Sequence, residues 1–380
     1  MRPALLRSTM LIGIGSLAGL AFGASAEASD GIKLEVGGYF SSAYVGVVDG
    51  SRDAGHFGND RNHDALKHDA EVHFKGETTL DNGLTVEARI ELEGENDDDQ
   101  IDKSWVAFSG GFGQIRLGSQ DDALETQCLG APGGTANFSA FSPTGWASND
   151  PIGSNSYCFS ADNDSQKITY LSPTFSGFQL AVSYTPSANA EDYTQQGVNN
   201  AGTPSNPHGT AHHIVSAYAT YLYEADDWSI NVGGGGSWQL AFNDTPGVSD
   251  GKSQAYQTGI DLTFGNFSAG AIFEYFDQGG RDNDIWIAGG GLAYAFDPWT
   301  LGLQYSHGRY DGDFLGDGFG TDGGENLNRV VATVNYSLAP GVDLDADLGY
   351  TWYRDTRGAT PDSLSHYNAA EIGIGSSLTF

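Results

Sequence analysis

Ionisable residues recur at every second position in two neighbouring stretches: Glu71, His73, Lys75 and Glu77 in "EVHFKGE", then Glu87, Arg89, Glu91 and Glu93 in "TVEARIELE". A period of two puts each set on one side of a β-strand. Lys103 in "KSWVAF" and Arg116 in "GQIRLG" extend the pattern, with Trp105 and Ala107 beside the lysine and Gln114 and Gly118 beside the arginine. Acids follow at once, Asp121, Asp122 and Glu125, and again at Asp150, Asp162 and Asp164. The sequence brings no Ser, His and acid together as bond-making chemistry requires. What these residues suit is electrostatic work: a solvated wall of mixed sign and an acidic excursion that concentrates cations.

Other motifs carry less. His212-His213 and the group His56, His63, His68 and His73 lack a zinc-like ligand pattern and are expected to be ordinary loop or wall residues. "GIGSLAG" resembles a glycine-rich nucleotide loop without a strand and helix to flank it. The acids of "DGDFLGDGFGTDGGEN", 311–326, would suit calcium but lack the ordered spacing of an EF-hand, so no cofactor is expected and bound calcium is the one exception held open. Cys128 and Cys158 fall in one long loop of an exported chain, where a disulfide between them is expected.

Export is read from the N-terminus, where Arg2 and Arg7 precede the apolar run "MLIGIGSLAGLAFG" and a small-residue site at Ala24-Ser25-Ala26. Residues 1–26 are expected to be a cleaved signal peptide, leaving 27–380 as the working domain. A net charge of -32 argues against nucleic-acid binding. A mean hydropathy of -0.32 suits a soluble protein. It equally suits a transmembrane barrel, which shows lipid only every second residue.

Alternation runs almost the length of the chain. Sixteen strands are expected at about 32–48, 67–80, 84–94, 101–109, 113–119, 165–172, 177–185, 211–223, 228–240, 253–264, 266–277, 284–296, 299–310, 326–338, 342–354 and 366–380. Tight connections such as Asp81-Asn82-Gly83, Asp297-Pro298 and Pro340-Gly341 alternate with mostly longer polar ones, of which 120–164 is the longest. Long connections on one side and short on the other are the pattern of an outer-membrane barrel. Sixteen strands enclose a lumen too wide for side chains to fill, so a loop must narrow it. Closure would pair "AAEIGIGSSLTF" with "LEVGGYFSSAYVG".

Those two stretches, with "VHFKGETTLDNGLTVEARIELE", "KSWVAFSGGFGQIRLGSQDD" and "KITYLSPTFSGFQLAVSYTP", resemble the Gram-negative general porin family, specifically its alphaproteobacterial branch. The resemblance covers most of the first half and the final strand; 186–365 matches in rhythm. It implies an all-β, 16-stranded antiparallel transmembrane barrel, assembled as a homotrimer, with the third loop folded inward as a constriction. On that pattern Glu71, Lys75, Glu87, Arg89, Glu91, Lys103, Arg116, Asp121, Asp122 and Glu125 are expected to line the pore or its constriction, while Ile115 and Leu117 meet lipid or a neighbouring subunit. The family often sets a dense arginine ladder opposite the third loop; the glutamates interleaved here weaken that polarisation.

The expected function is passive diffusion of small hydrophilic solutes and ions across the outer membrane, with cations preferred and no chemical turnover. Two other classes fit parts of the pattern. A barrel lipase or protease would turn over substrate in detergent, and a secreted β-protein such as a lectin would stay soluble when envelopes are pelleted.

Overall fold

A computed structural model describes residues 31–52, 62–94, 100–142, 147–148, 154–162, 164–188, 211–242, 252–277, 279, 284–311, 324–355 and 366–380. The expected signal peptide, His56, Asp150 and most of the acidic stretch 311–326 lie outside these residues. In chain order the elements are β1 (Lys33–Arg52), β2 (Asp64–Thr79), β3 (Thr85–Glu93), β4 (Ile101–Gly110), β5 (Gly113–Ser119), α1 (Ala123–Gln127), β6 (Phe141–Ser142), β7 (Asn155–Ser156), β8 (Gln166–Leu171), β9 (Phe178–Ser187), β10 (Ala211–Glu224), β11 (Trp228–Phe242), β12 (Gln254–Phe264), β13 (Phe267–Asp277), β14 (Ile285–Phe296), β15 (Trp299–Tyr310), β16 (Glu325–Ala339), β17 (Val342–Asp355) and β18 (His366–Thr379).

All but β6 and β7 form one closed barrel of sixteen strands, each antiparallel to both neighbours and next to them in sequence order apart from the seam. The seam joins β1 to β18 in register, with Tyr44 opposite Ile374 and Tyr39 opposite Thr379. The strands match the expected segments within three residues at every end but one. β1 runs on to Arg52, because Val48 and Asp49 still pair with Ala370 and Ala369 before a register shift. At the tight turn after β2, Gly83 takes φ +82, open to glycine at little cost, and its N–H donates to the Leu80 carbonyl at 2.8 Å.

Burial is inverted relative to a soluble protein. Polar side chains such as Glu274, Gln304, Ser306 and Arg329 are buried, while Leu348, Ile372, Ile374 and Phe273 are exposed. The period of two makes both statements one: on β15 Gln304 and Ser306 point inward while Leu303 and Tyr305 point outward. The apolar outer band is the lipid-facing surface of a transmembrane barrel. Tyrosine and tryptophan rim it at both ends between β9 and β17, including Tyr184, Tyr256 and Trp352 at one end and Trp228, Tyr294 and Trp299 at the other. On β18 and β1 to β5 the described outward side chains include a single tyrosine, Tyr44, and no tryptophan.

The charged wall and the third loop

The third loop, between β5 and β8, opens with a helix start. Asp122 caps α1, its Oδ1 accepting from the N–H groups of Leu124 at 2.8 Å and Glu125 at 2.9 Å, while Glu125 answers the Asp122 N–H in a capping box. Its Oδ2 accepts from the hydroxyls of Ser160 and Ser216. Ala123 and Leu124 are buried, and the Ala123 N–H donates to Ser183 Oγ on β9 at 3.0 Å. The helix therefore lies on inward-facing side chains.

Cys128 and Cys158 are disulfide-bonded, as expected, with Cα atoms 5.9 Å apart across 30 residues. Just beyond, the Cys158 and Phe159 N–H groups donate to the carboxylate of Glu274, which stands fully buried on β13.

The segment between the two cysteines is tied to the inner faces of β14 to β18. Gln304 donates to the Ala131 carbonyl at 2.8 Å and accepts from Ser139 Oγ at 2.8 Å, and Thr333 Oγ1 donates to the Gly133 carbonyl at 2.8 Å. Asp345 accepts from Thr135 Oγ1 at 2.6 Å and from Asn137 Nδ2 at 2.8 Å. Glycines give the loop room. A Cβ on Gly291 would fall 1.8 Å from the Pro132 carbonyl oxygen, and one on Gly373 would fall 2.5 Å from the buried ring of Phe138. Ser148 Oγ donates to Glu371, which is ion-paired with the buried Arg329.

Across the lumen, β1 to β5 present the charged residues, and the strand registers place them on one face. Glu71 stands opposite Glu93, His73 opposite Glu91, Lys75 opposite Arg89 and Glu77 opposite Glu87. Glu91 is in turn opposite Lys103, and Arg116 opposite Ala107. Charges alternate and pair locally. Lys75 Nζ is 2.9 Å from Glu77, Lys103 Nζ is 2.9 Å from Asp121 and 3.4 Å from Asp102, and Arg89 pairs with Glu91. Arg116 donates to Gln114 Oε1 at 2.6 Å, and its guanidinium sits 5.0 Å from the Trp105 ring centre.

Asp122 departs from expectation. It was expected at the pore and is instead fully buried, because a helix cap and two serine hydroxyls occupy its oxygens. Asp162 is likewise withdrawn, forming a fully buried pair with Lys167 at 3.1 Å. Asp121 remains at the wall, 40% exposed against Lys103. Burial pushes Glu125 well above the usual carboxylate range, with Asp122 and Asp121 adding repulsion. Burial also raises Asp164 to about 7, opposed by Lys103 and reinforced by Asp121.

Glu71, His73 and Glu91 bring three potential metal-ligand atoms within 4.8 Å of one another. Arg89 is already among them: its Nη2 lies 3.1 Å from His73 Nδ1, and His73 Nε2 lies 2.7 Å from Glu71 Oε2. A metal-binding histidine normally offers its second nitrogen to an acceptor, and here that nitrogen meets a donor. The trio belongs to a cross-strand hydrogen-bonded row whose ion pair is Arg89 with Glu91.

The residues that sequence reasoning missed hold the loop: Glu274, Gln304, Arg329, Asp345 and Glu371. A signal was present in "VDLDADLG", where Asp343, Asp345 and Asp347 alternate with Leu344, Ala346 and Leu348.

The sequence profile of one family, Gram-negative porin, matches residues 14–356. A "Monosaccharide porin" of Halomonas sp and a "Major outer membrane protein" of Halomonas elongata are each 25% identical over 179 residues, 44% of this chain and 46% of theirs. The chain thus spans about half the length of the curated relatives it matches. Among solved structures, a loop L8 deletion mutant of OmpT from Vibrio cholerae is similar with TM-score 0.58 at 15% identity, over 92% of this chain and 100% of that one. The trimer form of OmpT from the same organism has TM-score 0.56 at 14% identity, with the same two coverages. An anion-selective porin from Comamonas acidovorans has TM-score 0.56 at 14% identity, again over 92% and 100%. At these identities the likeness is one of fold.

Proposed function

Because the chain belongs to the Gram-negative porin family and is an outer-membrane β-barrel, we propose that it passes small hydrophilic solutes and ions by diffusion, with cations preferred and no chemical step. One observation carries this reading: a third loop fastened to β8 through β18 leaves the charged wall of β1 to β5 facing the remaining lumen. Water-filled space bounded by fixed charge and low-dielectric protein focuses the field on whatever passes. Glu71, Lys75, Glu87, Arg89, Glu91, Lys103 and Arg116 line that wall, and Asp121 faces them from the loop, with Glu125 behind it in the helix cap.

The preference for cations rests on 49 acids against 17 bases in the whole chain. The fold does not set the sign, since a barrel of the same shape is an anion-selective porin; the wall and loop side chains do. The measurement is reversal potential in a planar bilayer under a KCl gradient, for the wild type and for Asp121→Asn with Glu125→Gln. A chloride-preferring wild type would refute the reading, and an unchanged double variant would move the filter elsewhere. A liposome-swelling series starting at monosaccharides tests the size of solute, a choice suggested by the partial relative from Halomonas.

Homotrimeric assembly belongs to the same proposal. The outward face of β18 and β1 to β5, where aliphatic side chains and Phe40, Phe74 and Phe108 stand with one tyrosine and no tryptophan while the other strands carry tyrosine and tryptophan rims, suits burial against a second copy. The trimer form of the Vibrio cholerae relative supports it. Light scattering in detergent showing a monomer would remove it. Cleavage after residue 26 would be read from the N-terminus of the exported protein.

A further inference from the structure

A recess of the lumen is lined by neutral groups. It measures about 380 Å3 and lies between loop residues 131–135 and the inner faces of β14 to β16, across the lumen from the charged wall. None of its lining side chains carries a charge at neutral pH. Close packing leaves few voids larger than one water, and at ~30 Å3 each this one has room for about a dozen. Its size is that of a small-ligand pocket, for which the range is roughly 300–1,000 Å3.

The polar side chains around it fall into two sets. Gln304, Ser139 and Thr333 are spent on holding the loop, through the Ala131 and Gly133 carbonyls and the bond between Ser139 and Gln304. Thr300 and Asn335 are not spent. They stand directly opposite each other on β15 and β16, half-buried and facing inward, and their side chains have no hydrogen-bond partner among the described residues. Thr300 is the second residue of β15, next to the short Asp297-Pro298 turn, so the recess reaches the periplasmic side of the loop. Phe141 and Tyr157, edge to face with ring centres 5.8 Å apart, give it an aromatic part. A Cβ on Gly302, between Thr300 and Gln304 on the same face, would fall 2.1 Å from the Gly133 carbonyl oxygen, so glycine there lets the loop come this close.

We propose that this recess is a binding subsite for a neutral polyhydroxylated ring, an uncharged monosaccharide. Such a ring offers apolar C–H faces and a rim of hydroxyls that both donate and accept. Phe141 and Tyr157 suit the faces, and the Thr300 hydroxyl and Asn335 amide each donate and accept toward the rim. The bonds that fasten the loop hold the walls in place beforehand, so little ordering is lost on binding. Charge decides against an ionic ligand: a carboxylate or ammonium entering here would shed water and meet no opposite charge in the lining. Ions keep to the charged wall, and neutral solutes pause on the other side of the lumen. The proposal rests on the reading of the barrel as a diffusion channel for small hydrophilic solutes and adds a saturable step to it.

The test is saturation-transfer NMR on the purified full barrel in detergent, titrated with D-glucose and, separately, with D-glucuronate, the same ring bearing a carboxylate. Saturable binding is expected for glucose, with glucuronate much weaker. Thr300→Val together with Asn335→Leu should weaken glucose binding about thirtyfold, two uncharged hydrogen bonds at about 1 kcal/mol each, while Thr300→Ser, which keeps a hydroxyl, retains it. Thr263→Val removes an inward hydroxyl on β12, outside the recess, and should leave binding intact. Heat-resistant migration on gels shows that each variant has folded. Equal binding of both sugars, equal loss in Thr263→Val, or full binding by the folded double variant would overturn the proposal. A wild type that conducts KCl but binds no glucose would overturn the subsite and leave the channel reading standing, whereas one that binds glucose and conducts nothing would do the reverse.

Discussion

Lys103 Nζ and Asp121 Oδ1 meet at 2.9 Å, and through this contact the charged wall of the barrel touches the first acid of the third loop. Both side chains are partly exposed, so the pair adds little to stability. Its effect is on the field in the lumen, where each charge cancels most of the other. Asp121→Asn should therefore uncover Lys103 and lower the preference for cations, and Lys103→Gln should uncover Asp121 and raise it. The combined variant should return close to the wild type. Reversal potentials of the three, at low salt where screening is weak, check this; shifts of the same sign in both single variants would contradict it.

The same preference should follow pH. Asp164 titrates at about 7 in the folded loop against an ordinary 3.8, through burial first, with Lys103 opposing and Asp121 and Asp102 adding. A raised value means that the folded state holds a proton which the unfolded chain releases. The stabilising share of this group is thus full below the ordinary range and is lost as pH rises through about 7. Charge runs the other way, so cation preference should grow between pH 6 and 8, about one unit either side of that value. Asp164→Asn should flatten the profile; a profile as steep as the wild type's would assign the titration to another group.

Asp345 accepts from both Thr135 and Asn137, all of them buried. Asp345→Ala strands those donors, at a cost of about 2 to 4 kcal/mol to loop docking. Conductance should rise and become noisier as the loop loosens, while heat-resistant barrel migration on gels stays as before. A quiet channel of unchanged conductance would show that the loop is held elsewhere.

The Cys128–Cys158 bridge spans 30 residues, enough to contribute on the order of 3 to 4 kcal/mol against disorder of the segment between them. Alkylation of the denatured, unreduced protein should add no groups by mass, and alkylation after reduction should add two. The reduced channel should fluctuate more.

Outward and inward faces should answer oppositely to charge. Ile90 is 44% exposed on the apolar band, and Ile90→Arg should cost about 2 to 4 kcal/mol if it stands near mid-bilayer. Glu87→Gln, on the wall, should stay within about 0.5 kcal/mol. Urea titration of the folded barrel in lipid vesicles compares them; equal losses would undo the assignment of faces.

Most of the barrel was legible because one rule, alternation, governs every strand and needs no knowledge of partners. "TVEARIELE" yields the same faces whether or not its neighbours are known, and the registers only align them. The third loop was legible in position and length, not in contacts. Asp122 illustrates the reason: an acid after a strand suits a pore wall and a helix cap equally, and what decides is Glu125 three residues on, a spacing that signals a capping box. Asp345 and Gln304 stand on strands read for rhythm alone. Their partners lie 208 and 165 residues away, and alternation says nothing about what a distant loop will place beside them.

The seam has a kinetic side. Ser42 and Ser376 touch across 334 positions of sequence, whereas the other barrel strands pair with elements close by in the chain. Hairpins can form early, but the ring shuts only once its two outermost strands find each other, and loop-closure entropy makes that step slow. Until then β1 and β18 each offer a full row of unmet N–H and C=O groups to any other strand. The dangerous interval for this protein is thus the wait before that pairing, when two unfinished sheets could join edge to edge, and a substitution that weakens the seam would show itself first as aggregation during assembly.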